Sequence, residues 1–351
     1  MTRERLDTVL YWLLAAGAIA VALWAQAGWN NYAVRLLTYS GLYVILVVSL
    51  NIVNGFVGIF SLGHIGFMAV GAYVSALATY PLARRPATFP TLPEWFQSLA
   101  LPYPVALLLG GAAAALVAAV IGFPLLRLRG HYLALGSLAL LVIVEQLAVN
   151  LHPVTRGSRG LAGIPMLTTP LWVWAVAVVV VYVAARIKSS GFGLLLGAIR
   201  LDDVAAAASG VRLTRYKMSA FVVSAFFAGV AGGLWAHLVG VIAPSVFSYD
   251  LTFRVIVMLI IGGLGSITGS VVGALGLFLL PEAFTYLEGA GTHGLSQLLL
   301  AFVLVLVMIF RPNGLLGRRE LSLARARDGA GPGGRLGART TGADRPNPDD
   351  A

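Results

Sequence analysis

The chain has 351 residues, of which 59% are hydrophobic and 11% are charged, and its formal net charge is +10. This composition excludes an ordinary soluble globular domain, and the absence of cysteine excludes disulfide and thiol chemistry. The positive charge does not indicate nucleic-acid binding, because basic and aromatic residues are not interleaved in a soluble region.

Apolar runs long enough to cross a bilayer as helices recur along the chain. Runs of this length favour helices over the short alternating strands of a membrane barrel. We therefore predict an all-α polytopic membrane protein with eight to ten transmembrane helices; the eighth run is short and could be a broken or re-entrant segment. The runs lie near residues 8–27, 34–53, 58–80, 104–126, 132–150, 171–187, 217–240, 251–263, 266–284 and 295–311.

The two ends of the chain differ in composition from the apolar runs between them. Arg3 and Arg5, an apolar run and then Ala25-Gln26-Ala27 are similar to a cleavable signal peptide, but the run is long, which favours an uncleaved first span. The last residues are rich in Gly, Pro, Arg and Ala and poor in large apolar side chains. The sequence thus predicts a transmembrane domain over residues 1–317 and a disordered, dispensable cytoplasmic tail over residues 318–351.

The distribution of Lys and Arg predicts the orientation of the spans. With ten spans and both termini in the cytoplasm, most basic residues face the cytoplasm. They are Arg3, Arg5, Arg127, Arg129, Arg186, Lys188, Arg200, Arg212, Arg215, Lys217, Arg311, Arg318 and Arg319. The outer segments carry mainly Arg35, Arg84, Arg85, Arg156 and Arg159. We therefore expect a multi-pass plasma-membrane protein with both termini cytoplasmic.

One long polar segment, residues 191–217, interrupts the apolar runs. Within it, Asp202 is placed to cap the N-terminus of a short helix, Asp203 adds negative charge there, and Gly210 is placed to stop the helix in the left-handed conformation. The residues between are small. Such a smooth helix suits docking into a groove of another protein; the alternative is a surface helix that only closes a helical hairpin.

Two regions, residues 51–77 and 258–280, share a design in which an apolar span, a glycine-rich turn and a span with small residues follow one another. Small residues at four-residue spacing predict close helix packing. Those residues are Gly71, Ser75, Gly265, Gly269 and Gly273. Alternatively, the two regions are halves of a parallel pseudo-repeat around a substrate path.

Polar residues inside the apolar runs are candidates for a substrate path. A carboxylate within a span, such as Glu145, costs a few kcal/mol unless it is paired or faces water. Glu145 therefore lines a translocation route or makes a hydrogen bond between helices, and the same alternatives hold for His64. The candidate path residues are Ser61, His64, Ser137 and Glu145.

Enzyme signatures are missing from the sequence. It lacks the common metalloprotease, serine-hydrolase and phosphate-loop motifs, and its five histidines have no metal-ligand spacing. We therefore expect neither catalysis by this chain nor a cofactor nor a metal.

These motifs together resemble the permease subunits of branched-chain amino-acid ABC transporters, of the LivM type, over roughly residues 35–317. The resemblance rests on SLGHIGFMAVGAYVSAL, TRGSRGLAGIP, GAIRLDDVAAAASGVRLTRYKMSAFVVSAFFAGVAGGL, IGGLGSITGSVVGA and RPNGLLG. Val204-Ala205-Ala206 followed by Gly210 is similar to the general importer motif of Glu-Ala-Ala and a later Gly, with valine in place of glutamate.

The chain departs from this family near the expected ligand route, so the resemblance leaves the substrate open. Gly130-His131-Tyr132 and Ser137-Leu138 stand where similar permeases often have an acidic residue and threonine-leucine, and Arg156 and Arg159 precede Gly160. Related permeases carry urea, short amides or aromatic acids as well as branched-chain amino acids.

The resemblance implies a bacterial inner-membrane permease subunit of an importer, with a cytoplasmic coupling helix. The implied partners are cytoplasmic ABC ATPase subunits that hydrolyse ATP, a second permease subunit in a heterodimer, an extracytoplasmic solute-binding protein and membrane lipid. The implied ATPase-coupling residues are Arg200, Asp202, Asp203, Ala205, Ala206, Gly210, Thr214 and Arg215. The alternative function is a secondary transporter or channel for a small polar solute.

Overall fold

The computed structural model describes residues 16–26, 28–90, 93, 97–98, 100–128, 130–285, 302, 305, 307, 309–311, 314–317 and 320. Part of the first predicted span and most of the tenth lie outside these residues. The α-helices are α1 Ala16–Gln26, α2 Asn31–Asn51, α3 His64–Thr79, α4 Arg85–Thr88, α5 Tyr103–Leu125, α6 His131–Asn150, α7 His152–Thr155, α8 Pro170–Ser189, α9 Gly191–Leu201, α10 Asp203–Ala208, α11 Leu213–Val239, α12 Tyr249–Gly262 and α13 Ile267–Thr285.

Short elements connect or extend these helices. A π-helix, Ile52–Val57, continues α2, and the strands β1 (Leu161–Ala162) and β2 (Val241–Ile242) form one antiparallel pair. The 3-10 turns are Leu82–Arg84, Gly157–Arg159 and Pro244–Val246.

Seven helical segments in the described residues are long and apolar enough to cross a membrane. An eighth is obtained if α3 and the helical turns Leu82–Thr88, bent by 94°, are counted as one span. The prediction of an all-α polytopic membrane protein is confirmed. The short eighth run of the sequence becomes a 19-residue segment, Pro244–Gly262, because a 3-10 turn precedes α12. The predicted span near 58–80 starts later, since residues 58–63 are not helical.

The centre of the bundle is formed by α3, α5 and α11, which approach each other backbone to backbone. A Cβ atom on Gly71 would lie 2.2 Å from the carbonyl oxygen of Gly229, and one on Gly232 would lie 1.9 Å from that of Met68. A Cβ atom on Gly110 would lie 2.7 Å from the Gly71 carbonyl oxygen. Only glycine permits such close approach, which maximises dispersion contacts where lipid supplies no hydrophobic driving force.

One end of the bundle carries the antiparallel β1–β2 pair, and this end is named the hairpin end. The Tyr80 hydroxyl donates to the Ala162 carbonyl oxygen at 2.9 Å and so ties α3 to this pair. The fully buried Arg85 guanidinium donates to the carbonyl oxygens of Leu77, Ala78 and Tyr80 at 3.1, 3.2 and 2.9 Å. Arg85 therefore caps the C-terminus of α3, where orphan carbonyls and the helix dipole favour a cation.

Candidate functional site

The polar segment lies at the opposite end of the bundle and folds as two short helices, α9 and α10. Asp202 caps α10, because its Oδ1 atom accepts from the amides of Val204 and Ala205 at 2.9 and 3.0 Å. The helix ends at Ala208, and Gly210, just after the C-cap residue, has φ +83°. The Gly210 and Val211 amides donate to the carbonyl oxygens of Ala207 and Ala206 at 2.9 and 3.1 Å. This is the Schellman arrangement, and it fixes both ends of a two-turn helix that would be marginal alone.

An apolar surface is uncovered where α9 meets α10. Leu201, the last residue of α9, is 78% exposed and Val204 on α10 is 70% exposed, whereas Ala206 is buried against the rest of the chain. Asp203 lies 3.5 Å from Lys217, and this ion pair links α10 to the N-terminal part of α11. Thr214 and Arg215 are exposed in the first turn of α11. The segment is thus a structured protrusion rather than a plain connector.

Arg200 joins this protrusion to the interior of the bundle. Its Nη1 atom donates to the carbonyl oxygen of Gly55 in the π-helix. Its side chain also fills the space where Gly58 and Gly265 would carry a Cβ atom, at 2.7 and 2.5 Å. Both glycines have positive φ, so either substitution would meet backbone strain as well as the Arg200 side chain.

The two glycine-rich turns of the sequence lie against each other at this end. The Asn51 side chain bridges them, since its Oδ1 atom accepts from the Gly265 amide and its Nδ2 atom donates to the Ser266 carbonyl oxygen, both at 2.9 Å. A Cβ atom on Gly55 would lie 2.7 Å from the Gly265 amide nitrogen. Asn51 therefore satisfies backbone groups that neither helix can satisfy.

Residues 58–63 run through this region without helical structure and are held by side chains. Asn54 accepts from the Ser61 amide at 3.1 Å, and the Ser137 hydroxyl accepts from the Leu62 amide at 2.8 Å. A Cβ atom on Gly63 would lie 2.7 Å from the Ser137 carbonyl oxygen. Non-helical backbone within a membrane bundle is tolerated only where protein or water satisfies it, and broken helices of this kind often form transporter binding sites.

Three of the four candidate path residues gather around this break. Ser61 and Ser137 hold the non-helical backbone, and His64 begins α3. The His64 Nε2 atom lies 3.0 Å from the Ser49 hydroxyl, and Nδ1 lies 3.5 Å from the Ser224 hydroxyl. His64 is thus buried between α2 and α11 in a cluster of hydroxyl groups. Glu145, half-buried on α6, is not part of this cluster and makes no hydrogen bond or ion pair among the described residues.

The candidate packing residues divide into two groups. Gly71, Gly269 and Gly273 pack on neighbouring backbone: a Cβ atom on Gly269 would lie 2.4 Å from the Gly262 carbonyl oxygen, and one on Gly273 would lie 2.3 Å from that of Met258. Ser75 is fully buried between α5 and α11. Gly265, by contrast, lies in the turn before α13. Glycine is needed there because the residue has a positive φ and because the Arg200 side chain occupies the Cβ position.

Glu320 supplies a further contact at this end that the sequence pattern does not predict. Its Oε1 atom lies 2.6 Å from Lys188 Nζ and accepts from the Ile267 amide at 2.8 Å, while Oε2 accepts from the Thr268 amide at 3.0 Å. Burial raises the pKa of the Glu320 carboxyl, but the Lys188 ammonium and these amides lower it by more, so the net pKa lies below its ordinary value. Lys188 also donates to the Gly265 carbonyl oxygen at 2.5 Å.

Sequence reasoning missed Asn51, Asn54, Lys188 and Glu320 as structural residues of this end. Each acts on backbone that is far away along the chain or has no regular structure. An Asn next to a glycine-rich turn is the one local signal that could have drawn attention to Asn51 and Asn54. Lys188 and Glu320, 132 residues apart, have no such signal.

Comparisons with known proteins place this chain in a family. Residues 32–308 match the family model described as branched-chain amino acid transport system / permease component. No solved structure matches the chain at a significant level.

Individual relatives agree with that match. The chain is 30% identical to the high-affinity branched-chain amino acid transport system permease protein LivM of Salmonella typhimurium, over 81% of this chain and 70% of that protein. It is 25% identical to the permease protein BraD of Pseudomonas aeruginosa and 24% identical to LivH of Escherichia coli, each over 81% of this chain and 94% of the relative. The chain therefore belongs to the family of branched-chain amino acid transport permease components.

Proposed function

We propose that this chain is the transmembrane subunit of an ATP-driven importer of branched-chain or related amino acids, and that separate ATPase subunits dock on its polar segment. The observation that carries the proposal is the geometry of α10. This short, doubly capped helix exposes Val204 beside the exposed Leu201 at the end of α9, while Arg200 behind them contacts Gly55 in the bundle. Exposed apolar side chains on a rigid helix suit a protein partner, and the Arg200 contact supplies a route for movement into the bundle.

The docking surface in this proposal is α10 together with the first turn of α11. Asp202 and Gly210 hold the helix ends, Asp203 fixes α10 to α11, and the small side chains of Ala205 and Ala206 let the helix enter a groove. Thr214 and Arg215 lie beside it and contact the same partner. Arg200 transmits the displacement of this surface to the two glycine-rich turns.

The solute path in this proposal passes the break at residues 58–63. Ser61, His64 and Ser137 line or support it, and Glu145 lies further along α6 toward the hairpin end. The support is the non-helical backbone held by side chains inside an apolar bundle. Substrates of the relatives, branched-chain amino acids, give the proposed substrate class.

The remaining partners follow from the same proposal. A second, non-identical permease subunit completes the path, and an extracytoplasmic solute-binding protein delivers the solute at the hairpin end. The subunit resides in the bacterial inner membrane, with both termini and the polar segment in the cytoplasm. Residues 1–317 form the membrane domain and residues 318–351 form the tail. Because Glu320 contacts α13, we expect only the part of the tail beyond this residue to be dispensable.

A pair of glycine substitutions in the polar segment tests the docking role. A Cβ atom would have open space at both Gly210 and Gly197, but only Gly210 has positive φ. Gly210→Ala therefore strains the end of α10 by about 1 kcal/mol, whereas Gly197→Ala in α9 is neutral or stabilising. We expect Gly210→Ala to reduce co-purification of the ATPase subunits and ATP-dependent leucine uptake in proteoliposomes, and Gly197→Ala to keep both.

Two outcomes contradict the proposal. Equal ATPase recovery and uptake in the two variants would remove the docking role of α10. Leucine uptake by the wild-type chain that follows an ion gradient and needs no nucleotide would instead favour a secondary transporter.

A further inference from the structure

One face of α12 is uncovered and carries two opposite charges. Tyr249, Asp250, Phe253, Arg254 and Ile260 are exposed and, at 100° per residue, fall on one side of the helix. The opposite side is buried against the bundle, where α12 packs on α2 and α13. Asp250 and Arg254 are therefore presented to whatever lies beside this helix.

The depth of Arg254 makes lipid an unfavourable neighbour. It lies eight residues before Gly262, where α12 ends at the turn that contacts Arg200, so it is about 12 Å from that end of the helix. Arg254 is therefore near the middle of the candidate span Pro244–Gly262, which has to cross an apolar bilayer core about 30 Å thick. An ionised side chain facing acyl chains at that depth costs about 2.5–3.5 kcal/mol on insertion scales.

The two charges do not neutralise each other. Asp250 and Arg254 are one turn apart, a spacing that permits an ion pair, yet no ion pair of the described residues joins them. The neighbour of Arg254 on α2 is Tyr43, whose hydroxyl is a hydrogen-bond partner of Arg254 but not a carboxylate. Two unneutralised opposite charges about 6 Å apart at Cβ can bind a carboxylate and an ammonium group at the same time.

We propose that Asp250 and Arg254 form a binding site for a zwitterionic α-amino acid on an aqueous path along the exposed face of α12. This inference rests on the proposed function and names a recognition element for its substrate class on a different surface from the buried break at residues 58–63. Arg254 binds the carboxylate of the solute, and Asp250, one turn nearer the hairpin end, binds its ammonium group. Phe253, exposed beside them on the same face, offers an apolar surface for the aliphatic side chain.

Single cysteines test the aqueous path directly, since the chain has no cysteine of its own. Arg254→Cys and Asp250→Cys are compared with Leu116→Cys, a 66% exposed apolar position near the middle of α5. The full complex is treated with a charged, membrane-impermeant thiol reagent, at rest and during ATP turnover. We expect labelling at 254 and 250 and none at 116, with labelling slowed by leucine and the solute-binding protein. No labelling at 254, equal labelling at 116, or no protection by leucine would overturn the inference.

Uptake measurements test the zwitterion assignment. Loss of one charge-assisted hydrogen bond lowers the affinity for the solute about tenfold or more. Arg254→Gln and Asp250→Asn should therefore each lower leucine uptake by that factor, while the complex is recovered in normal amounts. Normal uptake by both variants would show that the two charges do not bind the solute. Failure of both variants to assemble would instead assign the charges to a contact between subunits. ATP-dependent uptake by the wild type, measured beside them, tests the proposed function separately.

Discussion

The Arg200 guanidinium donates a hydrogen bond to the Gly55 carbonyl oxygen, 145 residues earlier in the chain. This contact joins the polar segment to the π-helix that continues α2. The same side chain packs on Gly58 and Gly265, so one residue contacts both glycine-rich turns. A displacement of α9 and α10 would therefore reach the break between α2 and α3 through this side chain, together with the packing of α9 on the π-helix.

Removing this contact should uncouple ATP hydrolysis from transport. Arg200→Ala leaves the exposed surface of α10 in place, so ATPase recovery should stay near the wild-type level while leucine uptake per ATP falls about tenfold, as expected for loss of a charge-assisted hydrogen bond. Arg186→Ala is the matched control, because Arg186 lies at the same end and stacks on Tyr182 of its own helix. Uptake and hydrolysis are measured together in proteoliposomes, and unchanged coupling in Arg200→Ala would contradict this role.

Local sequence patterns predict the parts of this structure that depend on neighbouring residues. The cap at Asp202, the left-handed stop at Gly210 and the long apolar helices all follow from residues within one or two turns. The contacts that join Asn51 to Gly265 or Arg200 to Gly55 span 214 and 145 residues and depend on how the helices pack. No periodicity encodes such contacts, which is why the sequence predicted the elements better than the network between them.

The ion pair between Glu320 and Lys188 should give the complex an acid-dependent stability. The pKa of Glu320 is lowered in the folded state, so its contribution is complete above the unfolded value of about 4.3 and is lost as pH falls through the folded value. We expect the melting temperature of the detergent-solubilised complex to fall on acidification in this range. Glu320→Gln should lack that component and should be less stable at pH 7.

Two comparisons make the Glu320 prediction specific. Lys188→Met removes the other half of the pair, so its effect should not add to that of Glu320→Gln. A chain ending after residue 323 keeps Glu320 and should behave like the full chain, whereas one ending after residue 317 should resemble Glu320→Gln. Equal melting temperatures for the two truncations would show that the contact does not contribute to stability.

Close packing of α3 on α11 should make Gly71 intolerant of a single methyl group. A Cβ atom there would lie 2.2 Å from the Gly229 carbonyl oxygen, so the two helices must separate, at a cost of about 1–3 kcal/mol. Gly276→Ala on α13 is the control, because nothing lies within 4 Å of its Cβ position. Thermal denaturation should show a lowered melting temperature for Gly71→Ala alone; similar melting of both variants would argue against this packing.

Substitutions of Glu145 test whether a charged side chain on α6 contributes to the proposed solute path. It lies eight residues beyond Ser137, about 12 Å further along α6, and it is half-buried without a hydrogen-bond partner among the described residues. A carboxylate within a membrane span stays ionised at low cost only when it faces water or a polar group, for example of a second subunit. If its charge serves transport, Glu145→Gln should lower leucine uptake severalfold while complex yield stays normal, because the amide keeps the shape and loses the charge. Gln146→Leu, at the exposed neighbouring position, should leave uptake unchanged. Wild-type uptake by Glu145→Gln, with reduced yield only in Glu145→Leu, would assign Glu145 to helix packing instead.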